Sequence, residues 1–173
     1  MLMHENEKTA ADWIERLALE KHPEGGYYRR TYQSEQMISK DALPEGYGGS
    51  RFMGTAIYFL LDKDDFSAFH KLKQDEMWHF YEGSGVRIHM IDSDGNYKMV
   101  KLGSAIDNGE VLQYVVPGET YFASEVANKN QFSLVGCTVI PGFDFEDFEM
   151  PPRQRLIQQY PQHKDLITEF TRN

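Results

Sequence analysis

Residues 66–85 read FSAFHKLKQDEMWHFYEGSG, and how this stretch folds decides how the remaining chain is arranged around it. Phe66 to Leu72 and Glu76 to Glu82 have the aromatic and apolar content of strands. Lys73-Gln74-Asp75 between them is a polar reversal, and Gly83 and Gly85 break the second run. So short a connection predicts that the two strands pair antiparallel as a hairpin. His70 and Glu76 would then lie near each other across its mouth. An imidazole and a carboxylate held on rigid strands form a candidate acid/base or ligand pair.

Upstream, Ala56 to Leu61 is an almost unbroken apolar run, as in a strand buried on both faces. Tyr27 to Tyr32 reads as another strand, and Glu35 to Lys40 as a short helical piece before a Pro/Gly-rich loop ending at Gly48-Gly49. Thr9 and Asp12 have capping-box spacing, and Trp13, Ile14, Leu17 and Ala18 recur at helical intervals, which predicts a helix from about Ala10 to Leu19. Residues 1–8 are polar and expected to fray. Pro23 and Gly25-Gly26 turn the chain after the helix.

Downstream, Val86 to Ile91 alternates, and Asp94-Gly95 is a strong hairpin turn into Tyr97 to Leu102. Val111 to Val116, Thr120 to Val126 and Gln131 to Ile140 complete the strands. Phe143 to Phe148 alternates aromatics with acids and is expected to lay an apolar face over the strands. Arg153 to Gln159 reads as a helix, with a further turn or two before Phe170. Many short strands separated by turn residues give an all-β fold: a sandwich, jelly roll or barrel. With no repeat or linker, the 173 residues are expected to form one domain.

A net charge of −9 argues against nucleic acid or an anionic membrane as partner, because phosphate binding needs a basic face. The one cysteine, Cys137, cannot form an internal disulfide and lies in an apolar run, where it reads as a small buried hydrophobe. No signal pattern opens the chain, and no apolar run approaches the roughly 20 residues of a membrane span. Cytoplasmic location is the expectation.

Several blocks resemble the cupins. Their first motif places Gly before His-x-His, then Glu and Gly; His70, Leu72, Glu76 and Gly83 fall at those intervals. Their second, Pro-x-Gly-x-x-His, is matched loosely by Pro117 to Phe122. Leu72 and Phe122 stand where two histidines would be. The segments His22-Pro23-Glu24-Gly25-Gly26-Tyr27-Tyr28, Ala56 to Leu61, Phe66 to His70, Glu76 to Gly83 and Pro141 to Phe145 resemble the fifth cupin family, a domain of unknown function. The match runs from about Trp13 to Phe148. The resemblance implies a double-stranded β-helix, the cupin jelly roll, with a short N-terminal helix, a C-terminal helical segment, a ligand-sized cavity in its mouth and a homodimer. It implies no particular reaction.

Sugar-nucleotide 3,5-epimerases have a similar jelly roll and work without metal, through a histidine base and a tyrosine acid. On that analogy His70 is the base, Glu76 its carboxylate partner, and Tyr121 or Tyr58 the acid, in an isomerase or epimerase acting on a sugar or nucleotide-sugar. Glu24, Tyr28, Ser67, Trp78 and Tyr58 are the expected ligand-binding residues. Trp78 shares the Glu76 face and would raise its carboxyl pKa by desolvation. His79, three residues on, points the other way. No cofactor is expected. In the alternative metal-dependent enzyme, His70 and Glu76 would hold a divalent metal with replacement ligands from His79, Gln74 or Asp75. A non-catalytic sensor of small molecules is the third reading. The acids of Asp144 to Glu149 lack the offsets of a calcium loop. His4, His89 and His163 are expected to be exposed and without role.

Overall fold

Alternation of side chains along extended backbone sorts this chain into layers. The computed structural model describes residues 8–172, so His4 and most of the predicted frayed segment lie outside the described residues. Helix α1 (Ala10–Arg16) leads into β1 (Glu20–Lys21), β2 (Tyr27–Gln33), β3 (Met37–Ile38), β4 (Arg51–Phe52), β5 (Thr55–Leu61), β6 (Phe66–Leu72) and β7 (Asp75–Gly83). Then come β8 (Val86–Ile91), β9 (Tyr97–Leu102), β10 (Gln113–Val116), β11 (Tyr121–Val126), β12 (Ser133–Ile140) and β13 (Phe148–Glu149), followed by α2 (Arg153–Gln159) and α3 (Lys164–Glu169). The Thr9–Asp12 capping box is present.

Two antiparallel sheets face each other as a jelly roll. One has the order β1-β2-β5-β12-β7-β10, the other β13-β6-β11-β8-β9. Their inner faces meet in a core that includes Phe59, Leu61, Trp78, Ile88, Phe122 and Val135. The residues one step along the same strands face outward. Leu60 and Leu134 pack against Ala10 and Leu19 beside α1. Phe69, Ile91, Tyr121 and Ala123 pack against Leu156, Tyr160, Ile167 and Phe170 of the C-terminal helical segment. The barrel thus carries a helical cover on the outside of each sheet. Among the described residues no helix is long and apolar enough to cross a membrane.

Two local expectations are corrected. Glu35 to Ser39 is not helical: Met37 and Ile38 pair with Phe52 and Arg51, and a 3-10 turn begins only at Lys40. Ser34 Oγ accepts from the Met53 N–H at 2.8 Å and donates to Gln36 O at 2.6 Å, which holds the chain extended. More consequential, β6 and β7 do not form a hairpin. Strand β6 pairs with β11 and β13, whereas β7 pairs with β12 and β10. Lys73-Gln74 is a corner that carries the chain from one sheet to the other. Its neighbours occupy the groups a hairpin would need: Glu119 N–H donates to Leu72 O at 2.7 Å, and Gly118 N–H to Asp75 Oδ1 at 2.8 Å. A side chain at Gly118 would collide with the Lys73 carbonyl.

Candidate functional site

The corner places His70 and Glu76 on facing sheets, with a cavity between them. Its wall is built from β5 (Thr55, Ile57, Phe59), β6 (His70, Leu72), β7 (Glu76) and β12 (Cys137, Val139). His22 and Glu24 enter from the turn before β2, Tyr28 and Arg30 from β2 itself, and Phe143, Phe145 and Phe148 roof the mouth. The turn reaches this far in because it lies flat on two strands. Gly25 and Gly26 hold φ of 113° and 73°, and a Cβ on either would strike the Phe66 or Leu60 carbonyl. Glu24 O accepts from Ala68 N–H at 2.8 Å, and Gly26 N–H donates to Asp65 Oδ2 at 2.8 Å.

Pressed inward, Glu24 meets His70: its Oε2 is 3.2 Å from Nε2, while Oε1 accepts from Ser67 Oγ at 3.0 Å. The other ring nitrogen, Nδ1, is 2.8 Å from Ala68 O. A carbonyl only accepts, so Nδ1 carries a hydrogen. The Nε2–Oε2 contact then needs one proton of its own. Burial lowers the His70 pKa, against the charge of Glu76, and raises that of Glu24, against His22 and Ser67. Both directions shift the shared proton towards the carboxyl. His22 Nδ1 accepts from the Glu24 N–H at 3.3 Å and lies 3.5 Å from Oε2, and burial lowers its pKa too.

Glu76 is the second acid of the cavity. It is 8% exposed, and its Oε2 is buried with no hydrogen-bond partner. Desolvation pushes its carboxyl up to about 7, with His70 opposing and Glu24 adding to the rise. The cavity has a volume of about 50 Å³, room for a few waters.

The roof is anchored from outside the cavity. Arg51, 3% exposed, binds Asp147 through Nε at 2.6 Å and Nη2 at 2.8 Å, and Gln74 Nε2 donates to the same carboxylate at 2.7 Å. β13 adds Phe148 opposite Leu72. The rings of Phe143, Phe145 and Phe148 meet edge to face, with centroids 5.0–6.2 Å apart. The apolar cover expected of this segment is therefore in place.

Of the residues singled out in the sequence, His70, Glu76, Glu24 and Tyr28 line the cavity, and Ser67 stands behind Glu24. Trp78 is 1% exposed in the core beneath them. The two candidate acids are elsewhere. Tyr121 faces the C-terminal helices and donates to Glu149 Oε1 at 3.2 Å. Tyr58 is on the outer face of the first sheet, against Tyr81. Parity decides both positions: Phe122 and Phe59 point into the barrel, so their strand neighbours point away. His79 faces outward as expected, with Nε2 3.0 Å from Thr138 Oγ1. Gln74 and Asp75 serve the roof and the Pro117-Gly118 turn. His89 corrects its expectation: it is 7% exposed, stacked on Phe170 and 2.9 Å from the Tyr97 hydroxyl. His163 is half-buried rather than exposed, and its Nε2 donates to Gly95 O at 2.8 Å. His22 and Arg30 were not singled out individually. The block His22-Pro23-Glu24 was the available signal.

The family model described as Cupin superfamily (DUF985) matches residues 11–151. The chain belongs to this cupin family. The uncharacterised protein YML079W of Saccharomyces cerevisiae is 35% identical over 145 residues, covering 79% of this chain and 70% of that protein. Among solved structures, protein SO0799 of Shewanella oneidensis is 40% identical with a TM-score of 0.85, over 95% of this chain and 98% of the other. A hypothetical protein from Leishmania major is 35% identical with a TM-score of 0.87, over 96% and 100% of the two chains. Oxalate decarboxylase from Bacillus subtilis shares the fold at 13% identity, with a TM-score of 0.53 over 87% of this chain and 36% of that one.

Cupin enzymes commonly hold a metal at the motif positions, but the donor set here does not fit one. Leu72 presents an apolar wall, and the Phe122 ring lies 4.1 Å from the His70 ring where another imidazole would stand. His70 turns Nε2 onto Glu24. Among the described residues no group of three or more His, Cys, Asp or Glu has an arrangement able to hold a metal ion.

Proposed function

We propose that this cupin binds a small polar metabolite in the barrel mouth and moves a proton on it without a metal, as an isomerase or epimerase does. The observation that carries the reading is the pair of carboxyls on facing walls in different protonation circumstances. Glu24 shares a proton with His70, and Glu76 is set to titrate near neutrality with one oxygen unpartnered. Groups of that kind are matched to work at physiological pH. Glu76, when ionised, takes a proton from the substrate; the Glu24–His70 pair gives one to the developing oxyanion. The reverse reaction exchanges the roles. This assignment leaves tyrosine out, because neither Tyr121 nor Tyr58 reaches the cavity.

The size of the cavity narrows the substrate. A cavity of about 50 Å³ takes one end of a small sugar or hydroxy-carbonyl compound and leaves a nucleotide outside the roof. A homodimer, from the family, and cytoplasmic location, from the absence of a signal pattern in the sequence, accompany this reading as expectations.

The test is incorporation of solvent deuterium, followed by NMR, into a panel of small sugars, sugar phosphates and hydroxy-ketones. Wild type should exchange one carbon-bound hydrogen of its substrate, and Glu76→Gln and Glu24→Gln should slow exchange by about 100-fold or more, the usual range for a lost acid or base. Exchange in both variants at the wild-type rate would sink the proposal.

A further inference from the structure

We propose that the substrate enters this cavity with a protonated amine, so that the ligand class is a small amino-carbonyl or amino-sugar compound. The inference rests on the site read in the preceding section and names what it selects.

Two buried carboxyls face the same small space without a permanent cation. Glu24 pairs only with His22 and His70, and no Lys or Arg forms an ion pair with Glu76 among the described residues. Both imidazoles carry protons poorly at neutral pH because they too are buried. Arg30, the one wall residue with a fixed positive charge, lies at the exposed rim with Nη1 bound to Gln33 Oε1 at 2.6 Å. Elsewhere this chain does neutralise a buried acid with arginine, as at Arg51–Asp147. The cavity therefore lacks a positive charge that the fold could have supplied.

The remaining wall suits a cation. Phe59, Phe143, Phe145, Phe148 and Tyr28 enclose the approach with aromatic rings, whose faces attract ammonium groups. An ammonium donates hydrogen bonds and accepts none, which matches a carboxylate oxygen with no partner. A neutral hydroxyl would leave an ionised Glu76 without a counter-charge, and an anion would be repelled by it. The ammonium also fits the proposed chemistry: it acidifies the carbon–hydrogen bond beside it, next to the carboxylate that removes the proton.

The experiment compares glucosamine, glucose and open-chain gluconate, a cationic, a neutral and an anionic sugar derivative, at pH 7.5 with the full chain. Methylammonium, tetramethylammonium and Mn²⁺ complete the set. Binding is followed by calorimetry and by amide chemical shifts. Glucosamine should bind at least tenfold more tightly than glucose, with gluconate weakest. Methylammonium should compete with it, and Glu76→Gln should remove the preference. Phe145→Leu, at a position 52% exposed and safe for folding, should weaken amine binding several-fold without affecting glucose. Equal or tighter binding of glucose or gluconate would overturn the inference, as would Mn²⁺ displacing the amine, or no amine binding at all. If glucose binds and Glu76 still titrates near neutrality, only the amine preference falls. If nothing binds and the Glu76 carboxyl titrates at its ordinary value, the site itself has been misread.

Discussion

Asp147 and Glu76 are carboxyls on opposite sides of the roof, both withdrawn from solvent, and they differ in what surrounds them. Burial pushes Asp147 up, but hydrogen bonds from Arg51 and Gln74, with the charge of Arg51, outweigh it and hold its pKa below the usual range. Burial pushes Glu76 up to about 7, and nothing of comparable strength opposes it. One acid is satisfied within the fold; the other lines a cavity and has an oxygen with no hydrogen-bond partner. Equal chemistry in unequal company separates a structural clamp from a functional group, and it does so more sharply than burial alone.

The largest expected effect comes from breaking the clamp. Arg51→Met should destabilise the protein by about 3–5 kcal/mol, the usual result of stranding one partner of a buried ion pair. Urea denaturation checks this, and a loss below about 1 kcal/mol would remove the contrast with Glu76. Next is the pH response of Glu76. A carboxyl raised in the folded state binds its proton more tightly there than in the unfolded chain. Its stabilisation is therefore present in full below about pH 4.5 and lost as the pH rises to about 7. Glu76→Gln should flatten that decline and, at pH 8, raise stability by about 3 kcal/mol, taking ~1.4 kcal/mol per pKa unit. Asp147 has the opposite sign: its contribution holds above 3.8 and is lost as the pH falls below it. Denaturation midpoints measured across pH 3–9 would expose both slopes, and parallel slopes for Glu76→Gln and wild type would erase the distinction.

Ser67→Ala tests the middle of the range. It leaves Glu24 Oε1 without its 3.0 Å partner, which should cost about 1–2 kcal/mol and drive the Glu24 pKa further up. NMR titration of Glu24 reads the direction. The smallest effect is expected from Tyr121→Phe, which removes one hydrogen bond to Glu149. A stability change near 1 kcal/mol with unaltered ligand binding would confirm that this tyrosine is outside the site. A large loss of binding would bring it back.

Strand positions and the helix at Arg153–Gln159 were legible because alternation and breakers act within a few residues. The pairing of β6 was not. Its partners β11 and β13 come from far along the chain, and a three-residue link said nothing about which sheet each end joins. Even so, His70 and Glu76 end at one cavity, since a corner between facing sheets brings them together as a hairpin would have done. The misplaced tyrosines were avoidable: once Phe122 is assigned to the interior, alternation sends Tyr121 out. Glu24 was marked by its glycines and its proline, whereas its bond to His70 spans 46 positions of sequence and left no local trace. The clamp of Arg51, Gln74 and Asp147 was equally silent, since its members come from β4, the corner after β6 and the segment before β13, far apart in sequence.

Cys137 turns this arrangement into its own gauge. The thiol is the chain's lone sulfhydryl, is 3% exposed, and lies on the cavity wall under the phenylalanine roof. A maleimide reaches a thiol this buried when the surrounding structure opens, so the alkylation rate reports on that opening. Labelling that slows when a compound is added would report that the compound occupies the cavity.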